Sequence, residues 1–216
     1  MNKKISTLEF NDGKNCSEQQ QTLNVLGVGS SMRRDSFGTE TLRIILKKVS
    51  ENGGESQLLN LFENPLPIYS PDNDGDNPSI KKATNLVNWA DAFIFATPDY
   101  HGSMAGSLKN FLDYFWAEFA GKTFGYLCSS HEKGLTVMDQ MRTAIRQCYG
   151  WSLPYGISIN SGTDFNERRQ IVKTQLVRRI DSFARDLVVY GSLINSQFRK
   201  DLNSTISNSY AVHYRK

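Results

Sequence analysis

Two short segments of the chain combine residue types that bind a phosphorylated, flat ligand. The first, 29–36, reads Gly-Ser-Ser-Met-Arg-Arg-Asp-Ser and precedes an amphipathic stretch. Hydroxyls donate to a phosphate, Arg33 can bind it through two hydrogen bonds, and N–H groups at a helix start point at it. Serine and arginine are also ordinary loop residues, and Ser36 would then simply cap the helix. Taken alone, this segment leaves both interpretations open.

The second segment, 97–110, follows the apolar run 92–96 and leads into an aromatic-rich amphipathic stretch. It contains a proline, a tyrosine, a histidine and two glycines within ten residues, whereas a connection between elements needs only about two to six residues. Pro98 and Tyr100 offer apolar surface to a planar ring, and main-chain N–H groups at 99–102 can bond its heteroatoms. We therefore expect this segment to hold a flat ligand.

Strands and helices alternate along the chain around these segments. β-Favouring runs predict five strands, at 22–28, 57–61, 92–97, 123–128 and 155–159. Apolar stripes and start signals predict helices at 36–52, 77–90, 108–119, 135–149 and 172–187. This alternation predicts an α/β fold with a parallel sheet covered by helices on both faces.

In such a sheet, the loops after the first, third and fourth strands leave at the same edge. Ligands bind outside the carboxyl ends of the strands, where the strand order reverses. The first loop would take a phosphate, and the loops at 97–102 and 129–134 would flank the group attached to it. This joint placement favours the functional interpretation of all three loops.

Composition is that of one globular domain, with 216 residues, 39% of them hydrophobic, and a formal net charge of +3. No basic stripe indicates a nucleic-acid partner, and no apolar run is long enough to indicate a membrane partner. We expect a domain at 22–200 between a flexible extension at 1–21 and a loosely held tail at 201–216. The extension lacks the apolar core of a signal peptide, which favours a cytoplasmic protein.

The cysteines and histidines do not indicate a metal site. Cys16, Cys128 and Cys148 lack the spacing of metal ligands, and the three histidines lack a shared HExxH spacing. We interpret the cysteines as reduced thiols, with a redox role for Cys128 as the alternative. His101 has a side chain suited to proton delivery, but we prefer the interpretation that it packs against the ligand or a neighbouring subunit.

At these residues the chain resembles the NADPH-dependent FMN reductase family, a flavodoxin-like group of flavin, quinone, chromate and azo-dye reductases. The family's first pattern is Gly-Ser-x-Arg-x-x-Ser. Ser31, Arg33 and Ser36 match it, while Ser30 stands where glycine is usual. The resemblance spans roughly 24–187, nearly the whole predicted domain.

The family's second pattern begins Thr-Pro-Glu-Tyr and continues Gly-x-Leu-Lys-Asn-x-x-Asp. Residues 97–100 match its first part, with Asp99 in place of the commoner glutamate. Residues 106–110 together with Asp113 match its second part. The third loop, 129–134, matches the family's small residues and glycines more loosely.

The resemblance implies a flavodoxin-like, five-stranded parallel sheet in the order 2-1-3-4-5 that binds FMN without a covalent bond. It implies that Ser31, Arg33 and Ser36 hold the phosphate. The residues implied for the ring are Pro98, Asp99, Tyr100, His101, Gly102, Ser129 and Ser130. NADPH or NADH would supply hydride, and the flavin would carry the chemistry without an obligatory catalytic side chain.

The activity implied is electron transfer from the nicotinamide to a small acceptor, namely free flavin, a quinone, an azo compound or an oxidised metal ion. The alternatives are an electron carrier resembling flavodoxin and a redox-sensing flavoprotein. The net positive charge is a poor match to the acidic docking surface of a carrier.

The aromatic stretch 111–119 has more apolar bulk than one helix face can bury, and we expect Tyr114 and Trp116 to point away from the core. An exposed aromatic face suggests a subunit interface. With the family resemblance, this implies a homodimer or a dimer of dimers through the helices at 105–119 and 135–149.

Overall fold

The computed structural model describes residues 22–72 and 76–215, so the predicted extension at 1–21 lies outside the described residues. The strands are β1 Asn24–Gly29, β2 Glu55–Asn60, β3 Ala92–Tyr100, β4 Ser103–Met104, β5 Thr123–Ser129, β6 Trp151–Ser152 and β7 Ile157–Ile159. The helices are α1 Phe37–Glu51, α2 Pro78–Trp89, α3 Gly106–Asp113, α4 Leu135–Gln147 and α5 Thr174–Leu202, with short 3₁₀ helices at Ala117–Phe119 and Tyr210–Tyr214.

The main path of the sheet runs β2-β1-β3-β5-β6, with each neighbouring pair parallel. The predicted order 2-1-3-4-5 is therefore confirmed, with two additions. The fifth predicted strand, 155–159, corresponds to β7, and the unpredicted β6 lies before it; both pair with β5. The second addition is β4, which pairs antiparallel with the end of β3. The sheet keeps the carboxyl ends of β1, β3 and β5 side by side at one edge.

Two hydrophobic clusters cover the two faces of this sheet. One lies under α2, α3 and α4 and includes Phe93, Phe95 and Phe124 from the strands. The other lies under α1 and α5 and includes Val25 and Ile94. Side chains alternate across a strand, which is how neighbouring residues such as Phe93 and Ile94 reach opposite layers.

The predicted starts of the first two helices are confirmed by their caps. Ser36 precedes α1, and its Oγ accepts a hydrogen bond from the N–H of Thr39 at 3.2 Å. Asn77 precedes α2 and accepts from the N–H of Ser79 at 2.8 Å, with Pro78 as the first helical residue. Proline is suited to that position because its missing N–H would have no partner there.

The third predicted strand is longer than the sequence indicates. β3 continues to Tyr100, and the chain then turns back into β4 through His101 and Gly102, whose φ angles are 58° and 72°. A two-residue turn with both φ angles positive matches the twist of a hairpin. The prediction that 97–102 is a loop is wrong: this segment extends the central strand as a hairpin.

The predicted helix at 108–119 is divided. α3 ends at Asp113, and a 3₁₀ helix at Ala117–Phe119 follows. The break is accompanied by burial of Phe119, whose ring lies edge-on to Phe93 at 5.3 Å. Trp116 is 63% exposed as expected, but Tyr114 is half-buried and its hydroxyl donates to the carbonyl of Pro67 at 2.9 Å. The expectation that Tyr114 points away is therefore wrong.

The final helix reaches Leu202, and the chain after it folds back along the helix end. The ring of Tyr210 stacks on Phe198 at 5.5 Å, and Trp151 Nε1 donates to its hydroxyl at 3.0 Å. Val172, expected in the final helix stripe, precedes the helix and is exposed. How firmly the tail at 201–216 is held in solution stays a prediction. Within 22–72 and 76–215, no helix has the length and apolar character needed to cross a bilayer.

Candidate functional site

A cavity of about 150 Å³ lies at the carboxyl edge of β1, β3 and β5. Eight of the ten predicted site residues line it: Ser31, Arg33, Ser36, Pro98, Asp99, Tyr100, Ser129 and Ser130. The other two, His101 and Gly102, form the hairpin turn beside it. A second cavity of about 310 Å³ includes Gly102 and shares Asp99, Ser130 and His131 with the first. The sheet thus brings the three predicted site segments together, one of them as the β3–β4 hairpin rather than as a loop.

One end of the cavity has the donors that suit an anion. Ser31 and Ser36 are buried, and each hydroxyl oxygen accepts a backbone N–H bond, from Arg33 at 3.3 Å and from Thr39 at 3.2 Å respectively. A hydroxyl that accepts in this way keeps its own proton for donation. The Arg33 side chain and the start of α1 add positive potential at the same end.

The other end is shaped by hydrogen bonds that link the hairpin at the end of β3 to the loop after β5. The carboxylate of Asp99 accepts from the N–H of Gly102 and from the hydroxyl of Ser130, both at 2.8 Å. The same Ser130 hydroxyl accepts from the N–H of Glu132 at 3.0 Å. The link fixes the hairpin after β3 relative to the loop after β5.

Gln140 of α4 holds the hairpin from its other side. Its Oε1 accepts from the hydroxyl of Ser103 at 2.9 Å and the N–H of Met104 at 3.4 Å, and its Nε2 donates to the carbonyl of Gly102 at 3.3 Å. Tyr100, beside this turn, is 44% exposed. The hairpin is therefore held in place while an aromatic face stays open to a ligand.

Asn110 of α3 ties down the long loop that follows β2. Its Oδ1 accepts from the N–H of Tyr69 and its Nδ2 donates to the carbonyl of Pro67, both at 2.8 Å. The Tyr114 hydroxyl donates to the same Pro67 carbonyl. The asparagine of the second sequence pattern thus has a structural partner, namely this loop.

Several cavity residues are not among the ten predicted site residues, although three of them, Asp35, Thr97 and His131, lie in the predicted segments. The full set is Asp35, Phe37, Gly38, Thr39, Ala96, Thr97, His131 and Ser161. Gly38 and Thr39 lie in the first turn of α1, just after the cap residue Ser36. The helix start predicted from the sequence could therefore have indicated that these two residues line the cavity. Ser161 follows β7, whose carboxyl end lies at the same edge of the sheet. The predicted site includes the loops after three strands and not the loop after β7, so it does not contain this residue.

Cys128, the redox alternative, is a core residue. Its side chain is fully buried, and burial, with a smaller effect from the charge of Asp99, raises the pKa of the thiol to about 12. The reactive form of cysteine is the thiolate, so at neutral pH this thiol is inert. Cys16 lies outside the described residues. In the part of the chain that the structure describes, no cluster of histidine, cysteine and acidic side chains could hold a metal ion.

The donor set fits a ligand with a phosphate at one end and a planar ring at the other. Two buried hydroxyls, a guanidinium and a helix start suit the phosphate. Pro98, Tyr100 and the main chain of the hairpin suit the ring. The chemistry of these residues is therefore compatible with flavin mononucleotide.

A sequence model described as NADPH-dependent FMN reductase matches residues 23–164, more than half of the chain. An NADPH azoreductase of a Bacillus strain is 30% identical over 116 residues, which are 52% of this chain and 65% of that protein. An NAD(P)H-dependent FMN reductase of Pseudomonas aeruginosa is 33% identical over 116 residues, 50% of this chain and 60% of that protein. The chain spans between half and two thirds of the length of the first curated relatives it matches.

Among solved structures, the flavoenzyme NAD(P)H:(acceptor) oxidoreductase of Paracoccus denitrificans superposes with a TM-score of 0.67 and 17% identity. The match covers 80% of this chain and 98% of that one. At this identity the similarity concerns the fold alone. A Streptococcus flavodoxin also superposes, with a TM-score of 0.54 and 15% identity, over 78% of this chain and 99% of that one. Together with the strand order, this match confirms the prediction of a flavodoxin-like fold.

Proposed function

Because the chain belongs to the NADPH-dependent FMN reductase family, we propose that it is an FMN-dependent NAD(P)H oxidoreductase that reduces a small acceptor. The observation that carries the proposal is one cavity lined both by Ser31, Arg33 and Ser36 and by the hairpin residues 98–100. The names of the relatives agree with it, since one is an azoreductase and another an FMN reductase.

In this proposal Ser31, Arg33 and Ser36 bind the FMN phosphate, with the first N–H groups of α1 behind them. The hairpin 98–102 and the loop residues Ser129 and Ser130 hold the isoalloxazine ring. The link between Asp99 and Ser130 fixes the distance between these two ring-binding segments. The helix start and Arg33 favour the charged phosphate, which gives the site a preference for phosphorylated flavin.

The bound flavin would supply the redox chemistry, accepting hydride from a nicotinamide and passing electrons on. The chain's own residues bind and orient, and the proposal requires no side chain as acid or base. His101, at the hairpin turn beside the open aromatic face of Tyr100, is assigned to packing against a ligand or a partner subunit.

The proposed acceptor is a small molecule such as a free flavin, a quinone or an azo compound. We also propose that two copies of the chain associate through α3 and α4. Trp116, which follows α3, and Leu135, which begins α4, are each 63% exposed, and exposed aromatic and aliphatic side chains are typical of interface cores. A cytoplasmic location stays a prediction.

The test is anaerobic reduction of the purified full chain after loading with FMN. NADPH or NADH should bleach the flavin absorbance within seconds, and a quinone or an azo dye should restore it. Protein that holds FMN but is bleached by neither nucleotide would contradict the oxidoreductase proposal and favour an electron carrier or redox sensor. A protein that fails to retain FMN would contradict the cofactor assignment itself.

A further inference from the structure

The loop after β7, residues 160–173, reaches across to the start of α1, where two of its side chains contact Phe37. The ring of Phe165 packs against Phe37 with centroids 4.7 Å apart. The guanidinium of Arg169 lies over Phe37 at 3.9 Å from the ring centroid. A guanidinium over an aromatic face is favourable because the ring's negative face attracts the cation.

Arg169 makes a second contact with the same turn. Its Nη2 donates to the backbone carbonyl of Asp35 at 2.9 Å. Asp35 and Phe37 are the residues on either side of Ser36, and all three line the cavity. Arg169 is 134 positions away from Asp35 in the sequence. It therefore contacts both Asp35 and Phe37, the two neighbours of the cap residue Ser36.

The loop has the internal structure needed to present this arginine. Asp164 is buried and accepts from the N–H of Asn160 at 2.7 Å, while Lys173 forms an ion pair with it. Burial raises the pKa of this carboxyl, but the hydrogen bonds from Lys173, Asn160 and Thr163 outweigh that effect and lower the pKa overall. Asp164 is thus a charged anchor that ties both ends of the loop together.

The turn that carries Arg169 is also closed by the main chain. Phe165 and Ile171 form an antiparallel bridge, and the N–H of Arg169 donates to the carbonyl of Asn166 at 2.8 Å. Arg169 itself has a φ of 61°. A side chain in the left-handed region costs conformational energy and persists where its surroundings hold it. The contacts with Asp35 and Phe37 supply that support.

We infer that Arg169 is a positioning residue for the phosphate end of the site and that the 160–173 loop forms part of this chain's selectivity for phosphorylated flavin. This inference rests on the proposed function. By fixing Asp35 and Phe37, Arg169 sets the orientation of the Ser36 hydroxyl and of the first N–H groups of α1. Those groups face the phosphate, whereas the ring is held by the hairpin and the loop after β5. Loss of Arg169 should therefore weaken phosphate binding selectively.

The experiment compares FMN with riboflavin, which has the same ring and no phosphate. The full chain is freed of flavin and titrated with each compound, and the fluorescence of the flavin reports binding. Arg168→Ala is the matched control, because it removes the same charge from the same loop. Arg169→Lys keeps the charge but removes the guanidinium that lies over Phe37. This variant also replaces Arg169→Ala in the experiment if the alanine variant does not fold.

We expect Arg169→Ala to weaken FMN binding about tenfold and to change riboflavin binding by less than about twofold. Arg169→Lys should lose most of the preference for FMN over riboflavin, and Arg168→Ala should keep that preference. Equal effects of Arg168→Ala and Arg169→Ala would overturn the inference, since only the shared charge would then matter. Parallel loss of FMN and riboflavin affinity would also overturn it. Wild-type protein that binds neither flavin would overturn the proposed function, and this inference with it.

Discussion

Ser130 donates a 2.8 Å hydrogen bond to Asp99, and this bond joins the hairpin at the end of β3 to the loop that follows the neighbouring strand β5. Each partner also receives a backbone N–H bond, Asp99 from Gly102 and Ser130 from Glu132. The hairpin and the loop are thus connected by a chain of three hydrogen bonds, which runs from the N–H of Gly102 through Asp99 and Ser130 to the N–H of Glu132. A hydroxyl side chain suits this point because it donates and accepts at once.

Replacing Ser130 with Ala should loosen both loops in a way that amide exchange can detect. The N–H of Glu132 loses its acceptor, and the Asp99 carboxylate that holds the N–H of Gly102 loses one of its two partners. We expect faster hydrogen exchange at both amides and weaker FMN binding, by about fivefold or more. The N–H of Ala105, which donates to Thr97 in the same hairpin at 2.9 Å, is the internal control and should keep its protection. Unchanged exchange at Glu132 would show that the link does not hold these loops.

Arg33 provides the second prediction, because its guanidinium is the charged side chain assigned to the phosphate. Arg33→Ala should weaken FMN binding by about 2 kcal/mol, roughly thirtyfold, and leave riboflavin binding little changed. Arg34→Ala is the matched control, since the neighbouring arginine has the same charge. Equilibrium titration of the flavin-free protein measures all of these affinities. An Arg33→Ala protein that retains FMN like the wild type would show that the phosphate lies elsewhere.

Local signals in the sequence were sufficient to predict where the first two helices start. They were also sufficient to predict that three segments meet at one edge of the sheet. Ser36 and Asn77 cap helices for reasons contained within four residues of chain, and strand order follows from alternation and the resemblance. The hairpin at His101 and Gly102 was missed because its paired strand, β4, has only two residues and no apolar pattern. Arg169 was missed for a different reason. Its partners are set by tertiary packing, which no periodicity in 160–173 indicates.

Asn110 gives a prediction about the loop that follows β2. Asn110→Ala removes the hydrogen bonds to Tyr69 and Pro67, so the loop should become more accessible to proteases and the free energy of unfolding should fall by about 1–2 kcal/mol. Lys109→Ala is the control on the same helix. Its ion pair with Asp113 is on the surface, and such pairs contribute about 0.5 kcal/mol or less. Limited proteolysis and urea denaturation measure the two effects, and equal behaviour of both variants would contradict the assigned role.

Lys122 provides a prediction about pH at the opposite edge of the sheet from the site. Its Nζ donates to the carbonyl of Val87 at 2.9 Å and lies 5.5 Å from the centre of the Phe93 ring. Burial lowers the pKa of this amine from 10.5 to about 8, although the charges of Asp91 and Glu118 oppose the change. Between these two pH values, the folded protein has released a proton that the unfolded chain still binds. The contribution of Lys122 to stability therefore rises as the pH increases from about 8 to 10.5.

Lys122→Met removes the titrating group and keeps an apolar chain of similar length. The free energy of unfolding of the wild type, minus that of Lys122→Met, should increase by on the order of 2–3 kcal/mol across this pH window. Urea denaturation at several pH values measures this difference, and Lys109→Met at the exposed surface of α3 should show no comparable increase. A difference between wild type and Lys122→Met that stays constant with pH would mean that the amine keeps its ordinary pKa in the folded protein. Lys122 would then make no pH-dependent contribution to the free energy of unfolding between about pH 8 and 10.5.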